Sequence, residues 1–411
     1  MAALELTGHG LDEGILLERI EDPPPCLEDQ AQELRLVELE LVDQERVGEE
    51  VGVALVDLVE VHACSAGGGE MGMAGAEYTR GSSPGPAARP GRAARPGPAS
   101  RGRAKARARR SGRGPVVVVV GAAARDVTAE DPRGWRLGGG VMYCALTLAR
   151  LGIPTAALVG VDGPSSQADE LGLLRSAGAD VRLVPLEHGP VFENIEDPGG
   201  RIQTCLDAGS AVPPEALPSS WSAAPWWILA PVAGEVPEAW AGVPARGAHL
   251  AIGWQGLLRL LHPGRQVARL RPRPSALLDR AELVSVSRHD VDHDLRLTEV
   301  LGPLRAGAEL VMTAGDQGGL VVTVGADRQV EQLRRYPALR SLHEVDPTGA
   351  GDTFLAALVA AHIATAMAGR ALPPGQGLHL AAAAASLVVE DVGLRGVPGR
   401  QAVACRLAGS G

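Results

Sequence analysis

The hydrophobic pattern of this chain changes abruptly at Pro115. From there Val116 to Val120 is an unbroken β-branched run closed by Gly121, the signature of a strand buried on both faces and followed by a turn. Similar short apolar runs recur at Ala156 to Val161, Trp227 to Leu229, Leu283 to Val286 and Leu310 to Thr313. Between and after them lie helix-like runs, among them Val141 to Leu151 and Leu378 to Val389. That alternation predicts βαβ units, hence a mostly parallel sheet covered by helices. The unit, residues 115–405, spans about 290 residues, large but admissible for one α/β domain.

The chain before Pro115 reads differently. Residues 1–79 form an acidic N-terminal extension in which only Arg19, Arg35 and Arg46 are basic, with a Leu-, Val- and Glu-rich stretch from Glu33 to Glu60 compatible with amphipathic helix or strand. Residues 80–114 are built largely from Arg, Pro, Gly, Ala and Ser without an acidic residue, too few apolar groups to offset the entropy of ordering, so a disordered linker is expected. An RNA or membrane tether is the sharper alternative for that basic run, and a gene start placed too far upstream is a third.

Phe354 to Leu372 is nearly all apolar and approaches the ~20 residues a bilayer span needs. It starts directly after the Gly351-Asp352 turn and contains His362 and Arg370, which favours a buried helix of an α/β core; no membrane is expected as partner. The composition, 45% hydrophobic and 21% charged, is that of an ordinary globular protein, and the net charge of −10 argues against nucleic acid as a partner of the folded part. Five scattered cysteines without a C-x-x-C pair argue against a zinc ribbon or a disulfide scaffold, and no basic segment followed by an apolar run opens the chain. A reducing cytoplasm is the expected location.

The densest chemical signal is Val345-Asp346-Pro347-Thr348-Gly349-Ala350-Gly351-Asp352-Thr353-Phe354, followed at once by the apolar helix. Glycines 349 and 351 admit a ligand close to backbone N–H groups, and the helix start favours an anion such as phosphate. Asp352, in the first turn, is placed to take a proton from a hydroxyl held beside that anion, as phosphoryl transfer requires. The plain alternative is a tight turn in which Asp merely caps a helix.

In its full length the segment resembles the second signature, D-[TP]-x-G-A-G-D, of the ribokinase-like (PfkB) carbohydrate kinases. The resemblance extends in order over Pro115 to Cys405. Val120-Gly121 followed by Asp126 resembles the family's first strand and its substrate-binding aspartate. Leu137-Gly138-Gly139-Gly140, leading into a helix that ends Ala149-Arg150-Leu151-Gly152, resembles the first signature, which implies substrate contact at Gly138, Gly139 and Gly140. Thr313-Ala314-Gly315-Asp316-Gln317-Gly318 resembles the turn that cradles nucleotide phosphates, which implies ATP contacts at Thr313, Gly315 and Gly318 and, from the Asp352 motif, at Thr348. Ala381 to Gly393 resembles the segment that closes over adenine. The resemblance implies a ribokinase-like three-layer α/β fold, a catalytic centre of Asp352 with the Gly349, Ala350 and Gly351 anion hole, ATP and Mg2+ as cofactors with a monovalent cation as a further candidate, and a small sugar or polyol as substrate.

Three departures qualify it. Only about sixteen residues separate Gly121 from Gly138, so the family's β lid is reduced or built elsewhere, which leaves monomer and homodimer equally open. Tyr143 stands where ribokinases tend to carry a sugar-binding asparagine, which points to a substrate other than ribose and makes Tyr143 itself a substrate-site candidate. The N-x-x-E motif, whose glutamate organises magnesium through water, appears only as Ser287-Arg288-His289-Asp290, leaving Asp290 as a shorter substitute. Phe192-Glu193-Asn194 with Arg201 and Gln203 reads as a hairpin turning at Asp197 to Gly200, where Arg201 would meet a polar or phosphorylated substrate unless the hairpin is a solvated surface element. His289, His343 and His362 have no mutual ligand spacing. A nucleoside or inositol kinase, and a non-catalytic ligand-binding relative, are the alternatives to a sugar kinase.

Overall fold

Alternate valines of the first strand face opposite cores. In the computed structural model, which describes residues 114–197, 200–369 and 375–409, Val117 and Val119 belong to one buried cluster, and Val118 and Val120 to another on the far side of the sheet. A period-2 run that is apolar at every position buries both faces, which is why this strand lies inside the sheet. The expectations for residues 1–79 and 80–113 fall outside the described residues, as do the side chains of residues 196, 197, 200 and 201.

Sixteen strands are present among the described residues: β1 Val117–Ala122, β2 Ala124–Val127, β3 Trp135–Gly138, β4 Thr155–Val161, β5 Asp180–Pro185, β6 Pro190–Asp197, β7 Gly200–Ala208, β8 Trp226–Leu229, β9 His249–Gly253, β10 Arg259–Leu260, β11 Arg265–Gln266, β12 Ala268–Arg269, β13 Leu283–Ser287, β14 Glu309–Thr313, β15 Gly319–Val324 and β16 Val330–Tyr336. The helices are α1 Gly140–Arg150, α2 Glu170–Ser176, α3 Ala276–Arg280, α4 Leu297–Leu301, α5 Ala350–Ala368, α6 Gln376–Val388 and α7 Arg400–Ala408.

Nine strands form the central sheet in the order β16-β15-β14-β13-β9-β8-β1-β4-β5. The pairings from β5 across to β14 are parallel, and β14-β15-β16 closes one edge antiparallel. Helices α1, α5 and α6 pack on one face, with Val141, Phe354, Leu355, Ala383 and Val388 in the shared cluster. Leu277 and Leu278 of α3 and Leu297 and Val300 of α4 cover the other face together with Trp227 and Trp240. Each such fully buried aliphatic or aromatic side chain contributes roughly 1.5–3 kcal/mol relative to exposure, so the two clusters carry the fold. This is the three-layer α/β architecture, with the apolar run after Asp352 as a helix buried from Thr353 to Ala361 between α1 and α6. By length and hydropathy α5 could also cross a bilayer; an all-round apolar helix at the centre of a core reads the same way.

A second sheet of five strands, β11-β7-β6-β2-β3, rests on a small core of Ala124, Phe192, Cys205 and Val232. The short interval between Gly121 and Gly138 supplies only β2 and β3; the β6-β7 hairpin and β11 supply the rest, so the cover is built largely from elsewhere in the chain. Asn194 pairs with Gln203 across that hairpin, and Asp197 with Gly200 at its turn.

Candidate active site

β1 is hydrogen-bonded to β4 on one side and to β8 on the other, so the strand order reverses there. A crevice opens outside the carboxyl ends of parallel strands at such a switch point, the usual place for a ligand in an open α/β sheet. The loops leaving β1, β8 and β9, together with the starts of α1 and α5, define it here.

Asp352 is the third residue of α5, whose cap Gly349 has a left-handed φ of 80°. That conformation costs a side-chain-bearing residue ~1–2 kcal/mol, and the ring of Tyr143 fills the space a Cβ would need. The Asp352 carboxylate reaches back to α1 and β9. A Cβ built on Gly140 would stand 2.9 Å from Asp352 Oδ1, and one on Gly253 would stand 3.9 Å from it. The Cys144 thiol donates to the Asp352 main-chain oxygen at 3.4 Å, tying α1 to the first turn of α5. Burial pushes the carboxyl up to about 7; Arg259 pulls it back, while Asp290 and Glu235 raise it further. Burial penalises the charged form, and two nearby carboxylates add to that penalty. A proton acceptor poised near neutrality is suited to general-base work.

Asp126 lies on β2 and accepts a hydrogen bond from Asn194 Nδ2 at 3.1 Å; Gln203 Nε2 donates to Asn194 Oδ1 at 2.8 Å. Gly138 faces the same carboxylate, for its Cβ would lie 3.1 Å from Asp126 Oδ2. The glycine run therefore touches both acids, Asp126 through Gly138 and Asp352 through Gly140. Tyr143 is buried between them, its phenol held well above its ordinary value by burial and by the fields of Asp346, Asp126 and Asp352. Asn194 and Gln203 belong to the hairpin the sequence pattern marks; Asn194 reaches Asp126 directly, and Gln203 reaches it only through Asn194.

On the other flank Asp346 fastens the glycine turn that precedes α5. Its Oδ1 accepts from Thr348 N and its Oδ2 from Gly393 N, each at 3.0 Å, while Val345 N donates to Val389 O at 2.7 Å. The Thr348–Gly351 turn is thereby linked to the turn after α6. By helix geometry the first N–H groups of α5 have no carbonyl four residues back, and they form the positive end of the helix. Thr313 ends β14 in register with Ser287 of β13, and Gly315 and Gly318 both take left-handed backbone in the turn that follows. Thr313, Ser287 and Asp290 thus leave the same edge of the sheet.

Asp290 accepts from Gln255 Nε2 at 3.0 and 3.3 Å, and Arg259 Nη2 stands 4.0 Å away. No cluster of three His, Cys, Asp or Glu side chains able to hold a metal occurs among the described residues. Magnesium keeps several waters and needs only one or two carboxylates beside donor phosphates, so Asp290 fits a hydrated ion bound together with its phosphates. Sequence reasoning missed Glu235. This buried carboxylate accepts from Ala122 N at 2.9 Å, Val232 N at 3.1 Å and Ala233 N at 2.9 Å, pinning the loop after β8 against the end of β1. A turn glutamate in a Pro-Val-Ala-Gly-Glu stretch carries no marker of burial, because two of its partners are ordinary local backbone groups and the third, Ala122 N, is distant in the chain. The Arg201 side chain is outside the described part.

Residues 276–398 match the family described as pfkB family carbohydrate kinase, a span holding β13, the Thr313 turn and Asp352. No curated protein matches the chain. Solved structures with a similar fold include a pyrophosphate-dependent kinase in the ribokinase family, complexed with a pyrophosphate analog and myo-inositol. It is 19% identical with a TM-score of 0.54, over 70% of this chain and 99% of that one. The Methanocaldococcus jannaschii nucleoside kinase is 17% identical with a TM-score of 0.51, covering 72% and 99%. Ribokinase from Thermotoga maritima is 16% identical with a TM-score of 0.51, covering 71% and 99%. At these identities the likeness is one of fold.

Proposed function

We propose that this chain, which carries the pfkB carbohydrate kinase family match over residues 276–398 and has the ribokinase fold, is a phosphotransferase that phosphorylates a hydroxyl of a small sugar or polyol. The observation that carries the reading is the position of Asp352. Its carboxyl is held near neutrality at the start of α5, against the glycine run that also meets Asp126.

In this reading Asp126 and Asn194 hold acceptor hydroxyls while Gly138 to Gly140 let the acceptor lie against the backbone. Asp352 accepts the proton of the attacking hydroxyl as the hydroxyl oxygen bonds to the terminal phosphorus of the donor, and the bond from that phosphorus to the departing part of the donor breaks. The N–H groups of Gly349 and Gly351 face the charge that develops on the transferring group, while that of Ala350 donates to the Pro347 carbonyl at 3.3 Å and would have to be shared. ATP is the proposed donor, with Thr313, Gly315, Gly318 and Thr348 along its phosphates. Magnesium, when bound, would neutralise donor phosphate charge, and Asp290 is the side chain placed to hold it through water.

The test is product formation by the full chain with Mg-ATP, and separately with Mg-pyrophosphate, against sugars, sugar phosphates, inositols and nucleosides. Donor-dependent phosphorylation of one acceptor class is expected. Binding of acceptors without turnover by either donor would replace this reading with that of a ligand-binding protein.

A further inference from the structure

Arg259 is the cation whose field acts most on Asp352, and it stands where three parts of the site converge. It follows the short turn Gln255–Leu258 after β9, and its side chain is 12% exposed. Nη1 donates to the Val232 carbonyl at 3.1 Å, on the loop that Glu235 pins and that meets Gly140 through Ala230. Nη2 lies 4.0 Å from Asp290 on the donor edge. The guanidinium carbon stands 5.5 Å over the Phe192 ring, two residues from Asn194 in the sheet that holds Asp126. The group is therefore anchored from the acceptor sheet, the donor edge and the floor beside Asp352 at once.

Charge makes the placement consequential. Asp352, Asp290 and Glu235 already put three carboxyl groups here, and a polyphosphate adds more negative charge. The start of α5 offers only about half a unit of positive charge. A guanidinium fixed by several contacts supplies a full unit, in a planar fork matched to phosphate oxygens and with little reorganisation. Resting on the phosphotransfer reading above, we infer that Arg259 contacts the phosphoryl group in transfer, meeting its oxygens while Asp352 takes the acceptor proton. The arginine itself forms and breaks no covalent bond.

The experiment compares full-length wild type, Arg259→Gln, Arg259→Lys and Asp352→Asn in two assays. In calorimetric binding of inorganic tripolyphosphate with Mg2+, Arg259→Gln should bind at least tenfold more weakly, Arg259→Lys within about threefold of wild type, and Asp352→Asn no more weakly. In turnover, Arg259→Gln should lose roughly 10²–10³-fold in kcat with the acceptor KM within threefold. The acid limb of its kcat/KM profile should move to higher pH, since Asp352 then faces Asp290 and Glu235 without its cation, Tyr143 and Cys144 beside it being held neutral. A purely structural arginine would leave that limb in place. Wild-type tripolyphosphate affinity in Arg259→Gln, or no binding by wild type, overturns the inference. The binding pattern without turnover of any acceptor would uphold the Arg259 contact and sink the kinase reading instead.

Discussion

The carboxylate of Asp352 occupies the space in front of Gly140: a Cβ on that glycine would lie 2.9 Å from Asp352 Oδ1 and 3.0 Å from the Ala230 carbonyl oxygen. The second neighbour is backbone held by the loop that Glu235 fastens, so the aspartate is the group that must give way. Gly140→Ala should lower kcat at least tenfold and cost about 1–3 kcal/mol of stability, as overpacking in a close-packed site does. Steady-state kinetics and a thermal melt on the same preparation check both; an unchanged kcat would mean that Asp352 has freedom the packing denies it.

Gly349 and Gly351, two residues apart, should behave oppositely. At Gly349 an alanine meets both the left-handed φ of 80° and the Tyr143 ring, and about 2–4 kcal/mol of destabilisation is expected. A Cβ at Gly351 meets nothing within 4 Å, so Gly351→Ala should keep the melting temperature. It should still lower turnover, because the methyl enters the open space where the anion is proposed to sit. Equal melting temperatures for the two variants would contradict this account of the turn.

The raised carboxyl of Asp352 predicts two pH effects of known sign. A base must be unprotonated, so kcat/KM should fall tenfold per unit below about 7, the value to which burial brings this group. For stability, an unfolded aspartate titrates near ~3.9, so between there and about 7 the folded state binds the extra proton and loses stability as pH rises. Asp352→Asn should therefore be more stable than wild type at pH 8, by on the order of 2–4 kcal/mol, and no more stable below about pH 4. Denaturant melts at the two pH values read this directly; equal gains at both would show that the carboxyl is not the titrating group.

Much of the central sheet is legible in the sequence because its signals are local. The Val116 to Val120 run, the Leu310 to Thr313 run and the helix after Asp352 each declare themselves by an apolar stretch bounded by glycine or charge; the two strand runs fall within two residues of the ends of β1 and β14, whereas α5 starts four residues ahead of the apolar run at Phe354 because its first turn is the glycine motif itself. Asp352 and Asp346 are legible because their chemistry sits in one contiguous motif. Of the five-stranded cover only the β6-β7 hairpin is legible, since β2, β3 and β11 are two to four residues long and the sheet is assembled from segments far apart in the chain. Glu235 and Arg259 escape for the same reason: their partners, Ala122, Val232, Asp290 and Phe192, are joined to them by topology rather than spacing.

Asn194 separates acceptor binding from the chemistry. It donates to Asp126 while accepting from Gln203, so Asn194→Ala removes one fixed donor from the Asp126 carboxylate. The partly buried position makes a stability loss of no more than ~1.5 kcal/mol reasonable for a lost hydrogen bond. The acceptor KM should rise about tenfold with kcat within threefold, the signature of lost uniform binding. A fall in kcat at constant KM would instead place Asn194 in the reacting centre.

Asp352→Asn tests the central claim most directly. The amide is nearly isosteric and relieves a buried charge, so the variant should fold and bind donor and acceptor as wild type does. With the best acceptor at pH 8, its rate of phosphorylated product formation should be lower by at least 10³-fold. Turnover within tenfold of wild type, with binding intact, would contradict the assignment of Asp352 as the base and with it the mechanism proposed for this site.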